Sequence, residues 1–236
     1  MKKEPKISSL IDKACFDYNL IEDGDRILIG VSGGKDSTVL AEYFSNRAKR
    51  PFVGFTYKAL HIQSDFAPRF PIKIRNLFKK WDVPFESLKI NISARVKEGQ
   101  KMSCYWCSTQ RRTELIRYAM EHGYNKIALG HHMDDILETL LMNVLQKGEL
   151  STMIPSLQYE NYPVKIIRPL CYVAEDRIVK YVEDQGYKQY TCTCDFQDNS
   201  TRKEAKKKLK QLTGGKLEVK EKLFTAIQNI KLEYLP

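Results

Sequence analysis

Between the apolar run RILIGV (residues 26–31) and a stretch with helical apolar spacing stand six residues, SGGKDS (32–37). Few folds accommodate such a unit. Ile27, Leu28, Ile29 and Val31 form an unalternated β-favouring run, which suits a parallel strand covered on both faces. Asp36, Ser37 and Thr38 then open a helix. Gly33 and Gly34 let the backbone approach an anion closely, and the first unpaired N–H groups of the helix point toward it. The turn therefore reads as a phosphate cradle, with a ligand-free glycine turn as the alternative.

Two familiar cradles are excluded. A Walker A loop places glycine and Ser/Thr where this chain has Ile29 and Asp36. The G-x-G-x-x-G spacing is not met by Gly30, Gly33 and Gly34.

The rest of the chain alternates in the same way. A helix is expected from Ile7 to Leu20, and the one after the first strand from Ser37 to Arg47. PFVGFTYKALHI (51–62), FESLKI (85–90), KIALG (126–130) and VKIIRPL (164–170) read as further strands. Helices are expected over Pro68 to Trp81, Ser108 to His122, the apolar run ending at Gln146, and Ala174 to Gln185. Strands alternating with helices predict an α/β fold with a doubly wound parallel sheet, whose ligands gather at the carboxyl ends of the strands. A domain over 1–198 is expected, followed by a basic helical segment over 199–236 packed on it. In that segment Leu223, Ala226, Ile227 and Ile230 share one face.

Charge and cysteine usage narrow the partners. The formal net charge is +10, and from Thr201 onward ten Lys or Arg face four Asp or Glu. Such a segment suits a polyanion; a solvated lysine-rich helix is the alternative. Lys203, Lys207 and Lys210 share one helical face and are the candidate RNA-binding residues. No run of about 18 uncharged apolar residues is present, so no membrane partner and a cytoplasmic location are expected. In a reducing compartment the six cysteines point to metal, cluster or sulfur chemistry rather than disulfides. Cys104 and Cys107 stand one turn apart before the helix expected at Ser108, a placement that lowers thiol pKa. Cys192 and Cys194 add later thiolates, whereas Cys15 and Cys171 read as small buried residues. Tetrahedral zinc on four cysteines and a metal-free persulfide relay are the alternatives to a cluster.

SGGKDS after the first strand, GHHMDD (130–135) after the fourth and IIRPL (166–170) after the fifth resemble the PP-loop ATP pyrophosphatase superfamily. Within it, CYWCSTQRR (104–112), KIALGHHMDDILETLLMN (126–143), IIRPL and FTAIQNI (224–230) resemble the tRNA 2-thiocytidine synthetase (TtcA-like) family across nearly the whole chain. The resemblance implies ATP-dependent thiolation of a tRNA cytidine in the anticodon loop, at position 32. Thiolation of a uridine or a small molecule, and a nonenzymatic zinc-binding RNA-binding protein, are the rivals. A pyrimidine carbonyl oxygen cannot leave as oxide. It first attacks the α-phosphate of ATP, after which AMP is a competent leaving group.

By resemblance, ATP is held by Ser32, Gly33, Gly34, Lys35, Asp36, Ser37, His61, Gly130, Asp135 and Arg168. Lys35, Asp36, Asp134 and Arg111 are the catalytic candidates, with Asp36 assigned to Mg²⁺ and Asp135 to helix capping. Arg111 and Arg168 read as phosphate clamps, and Tyr105 or Trp106 would stack an exposed base. A [4Fe–4S] cluster with one open iron is implied on Cys104, Cys107 and a later cysteine. CTCDF (192–196) departs from the family's C-x-x-C here, so the third ligand is Cys194, with Cys192 as the alternative. A cysteine desulfurase or other sulfide donor is implied as partner, and a homodimer is compatible with the sequence.

Overall fold

The protein is described by a computed structural model covering residues 5–50, 54–96, 103–187 and 200–234, with Cys104 and Ser200 described by backbone alone. Six strands form one sheet: β1 (Arg26–Gly30), β2 (Thr56–Ser64), β3 (Phe85–Ile90), β4 (Lys126–Ala128), β5 (Ser156–Gln158) and β6 (Lys165–Ile167). Their order is β3-β2-β1-β4-β6-β5. Five strands are parallel, as expected, while β5 is an antiparallel edge strand on β6 that the sequence reading lacks. Three residues carry too little periodicity to be seen.

Eight α-helices accompany the sheet among the described residues: α1 (Ile7–Asp17), α2 (Lys35–Ala48), α3 (Ile72–Lys80), α4 (Cys104–Glu121), α5 (Met133–Lys147), α6 (Glu175–Asp184), α7 (Ser200–Thr213) and α8 (Leu217–Gln228). The unalternated β1 run is explained by burial on both sides. Ile27 and Ile29 join a core with Leu40 and Phe44 of α2, Ile136 of α5 and Ile178 of α6. Leu28 faces a second core with Leu60 and Ile62 of β2 and Ile116 and Ala119 of α4. So α4 covers one face of the sheet, and α1, α2, α5 and α6 cover the other.

Several boundaries differ from the sequence reading. Helix α4 begins at Cys104, four positions before the expected Ser108, because the Ser103 hydroxyl accepts the N–H of Trp106 (3.1 Å) and caps the extra turn. The two cysteines of C-x-x-C thus occupy the first turn itself. Helix α3 starts at Ile72 rather than Pro68, because Pro71 sits at its N-cap in an extended conformation. Helix α1 ends at Asp17, shortly before Asn19 turns to a positive φ of 49°.

The basic segment is anchored by a narrow apolar stripe. Ala205 and Leu209 of α7 are buried, and Leu209 and Phe224 of α8 join the core that holds Ile27 and Ile29. Phe224 replaces the expected Ala226 as the anchor of α8, while Ile230 lies beyond the helix and is exposed. The boundary expected between 198 and 199 lies outside the described residues. No helix among them is long and apolar enough to cross a membrane.

Candidate active site

β1 is flanked by β2 on one side and β4 on the other, so the chain order reverses between β1 and β4. Open α/β sheets bind ligands at the carboxyl edge of such a reversal. A cavity of about 670 Å³ occupies that edge, lined by the SGGKDS turn, the ends of β2 and β4, and residues of α4, α5, α6 and α7.

The turn is braced by its own hydroxyls. Ser37 Oγ donates to the Gly34 carbonyl (3.1 Å) and accepts from the Ser32 N–H (3.2 Å), while the Gly34 N–H donates to Ser32 Oγ (3.2 Å). Gly33 has a φ of +86°, and a Cβ there would stand 2.8 Å from Pro71 Cδ. Gly34 is the N-cap of α2 and no side chain caps it, which leaves the first amides of the helix turned to the cavity edge. Gly130 lets the β4–α5 loop approach closely: a Cβ there would lie 3.0 Å from the Ser37 nitrogen.

Charged groups converge on this turn. Lys35 Nζ lies 3.2 Å from Asp36 Oδ1 and 3.1 Å from Glu175 Oε1. Burial pulls the Lys35 pKa down, but these two carboxylates outweigh it and hold the ammonium above its ordinary value. Burial raises the Asp36 pKa despite His132 and Lys35. Glu175 is also half-buried, yet Lys206 (2.6 Å) and Lys35 bring its pKa down to about 2. Asp135 and His132 cap α5 reciprocally: the His132 N–H donates to Asp135 Oδ2 (3.0 Å) and the Asp135 N–H donates to His132 Nδ1 (3.4 Å). The other Asp135 oxygen accepts from Arg202, whose Nε also donates to the buried Glu138 (3.3 Å).

The structure places Asp134, a catalytic candidate from the sequence, away from the cavity. Its Oδ1 pairs with Lys220 of α8 (2.6 Å) and its Oδ2 accepts the Glu175 N–H (2.7 Å). Asp135, one residue and about 100° further round the helix, is the carboxylate that faces the cavity. His61 lines it too, with Nδ1 2.8 Å from the Val31 carbonyl oxygen, and burial lowers its pKa.

The cavity's other wall belongs to α4, where Cys107, Arg111 and Arg112 line it. Arg168, placed by the segment after β6, is buried behind the cavity lining and donates from Nε to Nδ1 of the lining residue His131 (3.3 Å). Trp106 is partly buried against the second core, while Tyr105 is exposed. Lys203 borders the cavity, and Lys207 and Lys210 continue along the exposed side of α7. Cys192 and Cys194 lie outside the described residues. Cys15 and Cys171 are buried away from the cavity, as expected.

Glu175, Glu138, Arg112, Arg202 and Lys206 were not singled out from the sequence. Glu175 had a usable signal, because it opens a helix that follows a strand at the ligand-bearing edge. Arg202 and Lys206 had none, since their inward direction depends on how α7 docks.

Three buried polar atoms of cavity-lining residues make no hydrogen bond among the described residues: His61 Nε2, Ser64 Oγ and Asp36 Oδ1, the last facing the Lys35 ammonium only as an ion pair. Such atoms are rare unless a ligand, ion or water satisfies them. Asp36 Oδ1, beside a turn built for phosphate, fits a divalent cation with oxygen ligands. For a cluster, Cys107 faces the cavity one turn after Cys104; among the described residues no three His, Cys, Asp or Glu are grouped as metal ligands.

A PP-loop domain family model matches residues 3–211. A tRNA-cytidine(32) 2-sulfurtransferase of Acaryochloris marina is 36% identical over 243 residues, spanning 99% of this chain and 84% of that protein. The enzyme of the same name from Coxiella burnetii is 34% identical over 97% of this chain and 91% of its own. Among solved structures, the U34-tRNA thiolase NcsA from Methanococcus maripaludis with its [4Fe–4S] cluster superposes with a TM-score of 0.74. It is 20% identical, and the match covers 96% of this chain and 80% of that one.

Proposed function

The chain belongs to the PP-loop family and, within it, to the tRNA-cytidine(32) 2-sulfurtransferases; from that premise we propose that it is an ATP-dependent tRNA sulfurtransferase. In this reading the cytidine O2 attacks the α-phosphorus of ATP and the bond to pyrophosphate breaks. Sulfur then attacks C2, the C–O bond breaks and AMP departs with the former carbonyl oxygen. The single observation that carries the reading is that Cys107 and the Lys35–Asp36 turn line one cavity.

Ser32, Gly33, Gly34 and Ser37 cradle the pyrophosphate with backbone amides and hydroxyls, and Lys35 moves its ammonium from Glu175 toward the charge that develops on the phosphates. Gly130 and His61 close the nucleotide side. Asp36 would hold Mg²⁺, which neutralises phosphate charge when bound. Asp135, which lines the cavity, stands beside the nucleotide, and the catalytic role expected of Asp134 passes to it. Cys104, Cys107 and Cys194, with Cys192 as alternative, would hold a [4Fe–4S] cluster, which when bound supplies the site that carries sulfur. The sulfur comes from a cysteine desulfurase or another sulfide source. Lys203, Lys207 and Lys210 follow the RNA backbone away from the cavity.

The test is anaerobic incubation with tRNA, ATP, Mg²⁺ and sulfide, followed by nucleoside mass spectrometry. 2-Thiocytidine that appears only with ATP, together with AMP, is expected. Thiouridine would move the substrate assignment, and absent or ATP-independent thiolation would overturn the reading.

A further inference from the structure

We propose that Arg111 and Arg112 of α4, backed by Arg168, form a phosphodiester subsite that grips the RNA backbone beside the base being modified, separate from the cradle for ATP. The inference rests on the tRNA reading above and reassigns Arg111 and Arg168 from the nucleotide to the RNA.

Position separates the two anion sites. Cys107, Arg111 and Leu115 are spaced one helical turn apart and all line the cavity, and Arg112 flanks the same stripe. Helix α4 covers the sheet face that carries Leu28 and Leu60. The helices whose first turns carry Lys35, Asp135 and Glu175 contribute Leu40, Ile136 and Ile178 to the opposite core. The α4 arginines therefore enter the cavity from the other side of the sheet than the SGGKDS turn.

Charge separates them again. On the turn's side the cations nearest the turn have carboxylates: Lys35 and Lys206 share Glu175, and Arg202 holds Asp135 and Glu138, while Lys203 is exposed at the cavity border. On the α4 side, Arg111 and Arg112 make no hydrogen bond or ion pair among the described residues. Arg168 bonds only to neutral groups there, His131 Nδ1 and the Ile154 carbonyl. Burial, with Arg112 adding to it, lowers the Arg168 pKa to about 10, and burial brings His131 to about 4, so the imidazole is uncharged at neutral pH. Charge gathered in a recess without a counter-charge is unfavourable unless a ligand supplies one.

Exposure selects the ligand. Arg168 is buried behind the lining residue His131, Arg111 is half-buried and Arg112 is exposed, so the two arginines that line the cavity lead to its rim with Arg168 behind them. ATP has to be enclosed with its phosphates on the glycine turn. An RNA strand stays in solvent and sends one base inward, so its phosphate passes the rim. The guanidinium fork matches that phosphate in two parallel hydrogen bonds.

The test measures tRNA affinity across a NaCl series, and ATP affinity by calorimetry, for the full chain and its Arg112→Gln, Arg112→Lys and Arg111→Gln/Arg112→Gln variants. Arg112→Gln is expected to weaken tRNA binding roughly three- to tenfold and to flatten the slope of log K against log[NaCl] by about 0.7 to 1, with ATP affinity unchanged. Arg112→Lys should restore the slope. Arg112 is exposed, so its variants keep the fold even where the double variant does not. Reduced ATP affinity with an unchanged tRNA slope would overturn the inference, as would variants indistinguishable from wild type. A wild-type chain that binds no tRNA would sink both this inference and the reading beneath it.

Discussion

Lys35 Nζ stands 3.1 Å from Oε1 of Glu175, a residue 140 positions later in the chain. Glu175 also accepts from Lys206 of α7 at 2.6 Å, so one carboxylate ties the glycine turn, α6 and the basic segment together. Glu175→Gln should slow AMP formation about tenfold, because Lys35 loses the partner that holds it beside the turn. The pH dependence follows from the depressed pKa of about 2 against an ordinary 4.5. The carboxylate stabilises the fold above pH 4.5 and ceases to do so as pH falls from there toward 2. Acid denaturation followed by circular dichroism should therefore be shallower across that window for Glu175→Gln than for wild type.

Asp36 behaves in the opposite way. Its pKa is raised, by burial first of all, so its ionised form is disfavoured in the fold. Stability from this position is fully present below the unfolded carboxylate pKa and is lost as pH rises through the raised folded value. Asp36→Asn should accordingly raise the melting temperature at pH 7, by about 2 to 4 °C for a gain of about 1 kcal/mol in a chain of this size. The same variant should lose Mg²⁺-dependent AMP formation by at least about a hundredfold. A lower melting temperature would show that Asp36 is structural.

Arg202 is the other tie between α7 and the cavity. Arg202→Ala leaves the buried Glu138 and the mostly buried Asp135 without their cation. Removing one partner of a buried pair costs about 3 to 5 kcal/mol; Arg202 is 40% exposed, so about 1 to 2 kcal/mol is expected here. Limited proteolysis should cut α7 faster in this variant, and ATP affinity should fall several-fold as the cavity wall loosens. Equal cleavage rates would show that Ala205 and Leu209 hold α7 unaided.

Much of this arrangement was legible in the letters because it is local. The β1 run, the glycine turn and the helix after it are set by neighbours in sequence, and parallel topology follows from strand and helix alternation. What escaped was directional. Asp134 and Asp135 are equivalent in sequence, and only the docking of α8, which brings Lys220 to Asp134, decides which one faces the cavity. Arg202 and Lys206 sit in a lysine-rich run whose composition says solvated helix, yet burial of Ala205 and Leu209 turns these two inward. The start of α4 was misplaced because one serine hydroxyl adds a turn that apolar periodicity cannot register.

The cysteines divide into two kinds by surroundings rather than by type. Cys107 lines the cavity in the first turn of α4, at the edge of the second core. Cys15 and Cys171 are buried in the core, and desolvation pushes both thiols up to about 12, so they stay protonated and act as small apolar side chains. Cys107→Ala should thus abolish the visible absorption of anaerobically reconstituted protein and lower tRNA thiolation by at least about a hundredfold, with the melting temperature of the metal-free chain within a few degrees of wild type. Cys171→Ala should do the reverse. Loss of one buried sulfur costs roughly 1 to 2 kcal/mol of stability, while absorption and thiolation persist. If Cys171→Ala bleached the protein, or Cys107→Ala retained full absorption, the α4 wall would not be where sulfur is carried.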